Sequence, residues 1–192
     1  MDSILSNAAH ENTYYDSDTM STVIRQWTIE DLPSVRRVTW DTWLDAYSSF
    51  IPESDLRHYF DTHYTLDVLT QLFHTPLMNG FVAEVDGSVV GYVKTKFNKE
   101  ENRFYVSSLY ILPGRQGMGL GGKLMVAAEE LAKTLGADTV WLGVMTQNTP
   151  ALDWYKRHGF TFVEEAPFTM GQTTVVHLIG FRKIRVAAKA LH

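Results

Sequence analysis

The spacing of apolar positions along the chain predicts its elements. "MSTVIRQW" opens on a strand pattern at residue 20. "TIEDLPSVRRVTWDTWLDAY" then reads as a helix, with Leu32, Val35, Val38 and Trp43 on one stripe and Thr28 and Asp31 as a start resembling a capping box. Pro52 and Glu53 open a second helix through about Phe60, and "TLDVLTQLF" makes a third. From Phe81 the period shortens. Phe81, Ala83 and Val85 alternate with mixed positions, Asp86-Gly87 signals a hairpin, and Val89 to Phe97 is the return strand. "NKEEN" is a turn and "RFYVSSLYIL" a third strand of this group. Residues 119 to 135 are helical, with Leu120, Leu124, Ala127, Ala128 and Leu131 as the apolar face and Gly136 at the C-cap. "DTVWLGVM" is a strand. "TPALDWYKRH" is a helix capped by Thr149 with Pro150 at N1 and closed by Gly159. "FTFVEE" and "TTVVHLIGFRKI" are the last strands. The order predicts an α+β domain with a mixed sheet over residues 20–192. Residues 1–19 are polar and read as a poorly ordered tail, with Met20 as an alternative start to Met1.

Composition narrows the chemistry. The chain has 192 residues, which suits one domain, and no cysteine, which excludes disulfides, zinc–thiolate sites and thiol nucleophiles. The net charge of −5 without a basic run argues against a nucleic-acid partner and mildly favours a cationic ligand. No apolar run reaches the ~18 residues of a membrane span, and no secretory signal opens the chain, so a cytoplasmic protein is expected.

Residues 112–125, "LPGRQGMGLGGKLM", raise the question of function. Gly114, Gly117, Gly119, Gly121 and Gly122 run from the end of a strand into the start of a helix. Glycine costs about 0.5–1 kcal/mol relative to alanine inside an element. Free N–H groups at a helix start, approached closely because side chains are absent, make an anion site suited to a pyrophosphate. The spacing is not that of a Walker A loop, because Leu124 follows Lys123 where a hydroxyl residue is required, nor that of a Rossmann turn.

Gln116, Gly117, Met118, Gly119, Leu120 and Gly121 instead match the Q/R-x-x-G-x-G/A signature of GNAT acetyltransferases. "NTPALDWYKRHGF" matches the second motif of that family through Asn148, Ala151, Tyr155, Gly159 and Phe160. The resemblance spans roughly residues 22 to 184. It implies a twisted, largely antiparallel mixed sheet, splayed between its fourth and fifth strands, that holds acetyl-CoA. It further implies that Leu109, Tyr110 and Ile111 pair with the pantetheine arm and that the amides of Gly117 to Gly122 take the pyrophosphate. Asn148 would bind the arm, and Tyr155 would protonate the departing thiolate. No metal is implied, and a homodimer is compatible with the resemblance.

An alkylamine near pKa 10.4 must lose a proton before it attacks, at about 4–5 kcal/mol at pH 7. Ribosomal-protein acetyltransferases of the family carry a Glu five residues before the motif Asn, where this chain has Gly143. Glu84 is taken as the catalytic base, with Asp41, His177 and a water chain as alternatives.

For the acceptor, Trp40, Trp43, Tyr47, Tyr59 and Tyr64 mix with Asp41, Asp45, Glu53, Asp55 and Asp61 in the first helices. Aromatics beside carboxylates suit a cationic amine. "TWDT", "WLGV" and "PFTMG" look like the polyamine (spermidine) acetyltransferase branch, the PaiA-like group, while Thr146 departs from the Glu expected there. A small amine such as a polyamine is therefore expected. A protein N-terminus or lysine is the alternative acceptor, and a CoA-binding sensor without catalysis the alternative function.

Overall fold

Asp86 and Gly87 both take left-handed backbone, with φ of 49° and 75°. That geometry lets a two-residue turn follow the strand twist, and it joins β2 (Met78–Val85) to β3 (Ser88–Asn98). The computed structural model describes residues 20–184, so the expected tail over 1–19 lies outside the described residues. β1 (Thr22–Gln26) pairs with β2, and β4 (Arg103–Ile111) with β3, all antiparallel. Beyond β4 come α4 (Leu120–Thr134), β5 (Thr139–Met145), α5 (Thr149–Arg157), β6 (Thr161–Met170) and β7 (Thr173–Lys183). Among the described residues the sheet order is β1-β2-β3-β4-β5-β7-β6, and only β4 and β5 run parallel. This is the α+β domain that the sequence predicts.

Three helices precede the hairpin: α1 (Leu32–Tyr47), α2 (Glu53–His63) and α3 (Leu66–His74). Their apolar stripes cover one sheet face. Val35, Val38, Trp43, Leu56 and Phe60 meet Val82 and Tyr92 there. On the other face Leu120, Leu124, Met125 and Ala128 of α4 meet Val93, Phe104, Val140 and Leu142. Each fully buried side chain of this kind stabilises the fold by about 1.5–3 kcal/mol.

Two boundaries differ from the sequence reading. The cap of α5 is Asn148, not Thr149, because the Asn148 carboxamide oxygen accepts from the Ala151 amide at 3.3 Å. β6 continues past Glu165 to Met170 and includes Pro167. A proline is tolerated there because β6 is the sheet edge, paired with β7 alone.

The site is positioned by the parallel pair. β4 and β5 are in register only at Phe104 with Val140 and Tyr105 with Trp141. Beyond these residues the strands diverge. β4 from Val106 to Ile111 keeps β3 on one side and leaves its other backbone edge without a strand.

Candidate active site

The divergence of β4 and β5 opens a cleft of about 1050 Å³. Leu109, Tyr110 and Ile111 line one wall, Leu142 to Met145 the other, and α4 and α5 begin at its edge. An unpaired strand edge beside a cleft can accept an extended ligand as an added strand.

The glycine-rich turn lies at one end. Gly117 and Gly119 have φ of 79° and 73°, which side-chain-bearing residues rarely adopt. Gly119 is the N-cap of α4, and the first backbone bond into the helix runs from the Lys123 amide to the Gly119 carbonyl, 3.2 Å. The amides of Leu120, Gly121 and Gly122 precede that bond. A Cβ built at Gly117, Gly119 or Gly122 meets nothing within 4 Å, so the turn faces open space. Gly121 differs. A Cβ there touches the Trp154 ring at 3.4 Å, so that glycine also lets α4 approach α5. Gln116 donates its side-chain amide to the Ile111 carbonyl at 3.3 Å, which ties the turn to the end of β4. The concave, side-chain-free helix start fits a pyrophosphate.

Tyr155 reaches the cleft from α5. It is 9% exposed, packed edge-on against Trp154 and Phe160 at 5.0 and 5.4 Å. Burial pushes its phenol above the ordinary value of 10, and the nearby Tyr47 adds to the shift. Tyr47 is itself pushed up to about 12 by burial, beside Tyr110 and Asn148. These phenols are protonated throughout the neutral range. They can donate protons and cannot act as bases. Because Asn148 uses its oxygen for the cap, its NH₂ is the half turned to the Tyr47 phenol, with a second N–H left to meet a ligand.

Most of the expected residues come together here. Leu109, Tyr110, Ile111, Gln116, Gly117, Gly119, Leu120, Gly121, Gly122, Asn148 and Tyr155 all line the cleft. Met118 does not. It packs against the core beneath α4. Glu84 is corrected as the expected base. It sits on β2, outside the cleft lining, with its carboxylate on the Arg25 guanidinium at 2.9 Å. The acids of the first helices also turn elsewhere. Asp41 pairs with Arg37, Asp61 with Arg36 and Glu53 with Arg57, while Asp55 accepts from the Thr173 hydroxyl at 2.6 Å. Of the five, only Asp45 lines the cleft.

His177 reaches the cleft from β7, opposite Met145 of β5. Its ring stacks on Phe168 at 4.4 Å, and burial lowers its pKa below the ordinary 6.5, so it is neutral at pH 7. A Cβ added at Gly143 would stand 3.2 Å from its Nδ1 and 3.0 Å from Ile179. The imidazole therefore occupies the space that a side chain at position 143 would enter. Sequence reasoning missed Lys94, Ser108 and Trp154, which also line the cleft.

The model of the acetyltransferase (GNAT) family matches residues 35–160. The chain belongs to the GNAT acetyltransferase family. This acetyltransferase is 27% identical over 148 residues to an uncharacterized N-acetyltransferase of Lactobacillus delbrueckii subsp. lactis, across 74% of this chain and 86% of that one. It is 34% identical over 77 residues to streptothricin acetyltransferase of Streptomyces lavendulae, across 40% and 41% of the two chains, so it spans less than half of that relative. Its fold matches the crystal structure of PaiA N-acetyltransferase from Thermoplasma acidophilum in complex with coenzyme A. The TM-score is 0.77 at 22% identity, over 86% of this chain and all of the other. Among the described residues of the acetyltransferase, no helix is long and apolar enough to cross a membrane.

Proposed function

We propose that this N-acetyltransferase moves the acetyl group of acetyl-CoA to a primary amine on a small molecule by direct attack within a ternary complex. The observation that carries the reading is the single cleft that joins the glycine-lined start of α4, the free edge of β4 and the Tyr155 phenol. The amides of Gly117 to Gly122 hold the pyrophosphate, and Leu109 to Ile111 take the pantetheine arm along the strand edge. Backbone donors on that edge stabilise the oxyanion that develops as the amine adds. Tyr155 gives its proton to the departing sulfur. A cytoplasmic setting goes with this reading.

His177 is the proton acceptor for the attacking ammonium. It is the cleft-lining imidazole that burial keeps neutral at pH 7. Water in the open cleft shares this role, so His177→Gln lowers kcat by about tenfold, less than the 10²–10⁴ of a sole base. The sign of the pH effect follows from the lowered pKa. Activity of the parent persists as pH falls below 6.5 and drops only where His177 protonates, by about the same tenfold, to the level that water supports. A kcat–pH profile from pH 5 to 9 checks this. In the variant that acid limb disappears, and an unchanged limb contradicts the assignment.

Within the small-amine class, "TWDT", "WLGV" and "PFTMG" put polyamines on the panel, although Asp45 is the one carboxylate of the cleft lining that could meet them. CoA release on mixing the protein with acetyl-CoA and a panel of amines tests the function as a whole. Release that requires an amine supports it. Amine-independent release, or none, contradicts it.

A further inference from the structure

One buried cation in the cleft has no part in acetyl transfer as described. Lys94 sits on β3, two residues beyond Tyr92, and is 8% exposed. It lines the cleft, with Nζ 5.1 Å from the centroid of the Tyr64 ring. It forms no ion pair with a carboxylate among the described residues. A buried ammonium without a counter-charge is costly, and an aromatic face offsets only part of that cost. Polar groups beside it share the same deficit. Ser108 lies directly opposite Lys94 across β3 and β4 and buries a hydroxyl that makes no hydrogen bond of good geometry, with the Tyr92 phenol as its polar neighbour. Trp43 buries an indole N–H that likewise makes none of good geometry, with the Tyr110 phenol as its polar neighbour, and its ring packs edge-on against the same Tyr64 at 5.0 Å. Both residues line the cleft.

An ammonium and an indole N–H only donate, and a hydroxyl is free to donate. What completes all three is an acceptor, and the charge of Lys94 makes that acceptor an anion. One lysine matches one negative charge. The other cation of the lining with a fixed charge, Arg115, belongs to the glycine-rich turn that follows β4. This selects a carboxylate over a doubly charged phosphate. A polycation, by contrast, meets two such cations against the single acid Asp45.

We infer that Lys94, Trp43 and Ser108 form a carboxylate subsite, so that the preferred acceptor is a primary amine that also carries a carboxylate, an amino-acid-like zwitterion. The inference rests on the proposed function and narrows its substrate class. The test compares γ-aminobutyrate, β-alanine and a set of α-amino acids with their carboxamides, and with spermidine, at saturating acetyl-CoA. The matching carboxylates show kcat/KM at least about tenfold above the amides, the scale of one charged hydrogen bond, expressed in KM. Lys94→Met raises KM for the carboxylates alone and erases the ratio, while Lys94→Arg retains it. Amides or spermidine used as well as the carboxylates overturn the subsite and leave acetyl transfer standing. So does a Lys94→Met enzyme with kcat lowered equally for every acceptor. If no amine is acetylated, the proposed function fails instead, and calorimetric titration of the CoA-bound protein with the same amino acids decides. Saturable binding lost in Lys94→Met supports the subsite, and no binding overturns it.

Discussion

Tyr155→Phe lowers kcat by about 10²–10⁴-fold, the usual contribution of a positioned general acid. The substitution keeps the ring against Trp154 and Phe160 and removes only the hydroxyl, so the core of α5 stays packed. Affinity for acetyl-CoA changes by less than about 1.5 kcal/mol, the ceiling for one neutral hydrogen bond. Because burial raises the phenol above 10, Tyr155 stays protonated through the alkaline range. The parent kcat therefore shows no fall up to about pH 10 that could be assigned to loss of this proton. The rates are measured at saturating acetyl-CoA, so that weaker binding cannot mimic slower chemistry. A Phe variant within twofold of the parent would make Tyr155 a packing residue.

Gly122→Val weakens acetyl-CoA binding by more than about 100-fold, the loss of two charge-assisted hydrogen bonds at roughly 1.5 kcal/mol or more each. The position is chosen for what surrounds it. A Cβ at Gly122 meets no atom of another part of the protein within 4 Å, and Gly122 lines the cleft, so the new side chain enters open cleft space beside the helix start. Gly121 is a poorer probe, since its Cβ would press on Trp154, and Gly119 requires positive φ. Valine is also a better helix former than glycine, so the fold is retained. Calorimetric titration with acetyl-CoA and a thermal melt check the two halves of this expectation. Unchanged affinity in a folded variant removes the phosphate cradle from the account.

Local signals in the sequence carried the element order, the hairpin at Asp86-Gly87 and the two motifs around Gly119 and Asn148. Each depends on residues close together in the chain. What the sequence did not disclose are choices made across the fold. Glu84 looks free on its strand, yet its partner Arg25 lies 59 residues away, on the neighbouring strand. The acids of α1 and α2 share a segment with aromatics, but pairing with Arg36, Arg37 and Arg57 takes three of them away from the cleft. Lys94 escaped notice because β3 is buried on both faces, which erases the alternation that marks an inward lysine. The closeness of His177 to Gly143 is likewise set by the pairing of β5 with β7, far apart in sequence.

Direct attack within a ternary complex is the central claim, and two-substrate initial-rate kinetics test it most directly. Acetyl-CoA and the best amine of the panel are varied together while free CoA thiol is followed. The double-reciprocal lines intersect, because both substrates occupy the cleft before CoA leaves. Parallel lines, with CoA released before the amine binds, would contradict it.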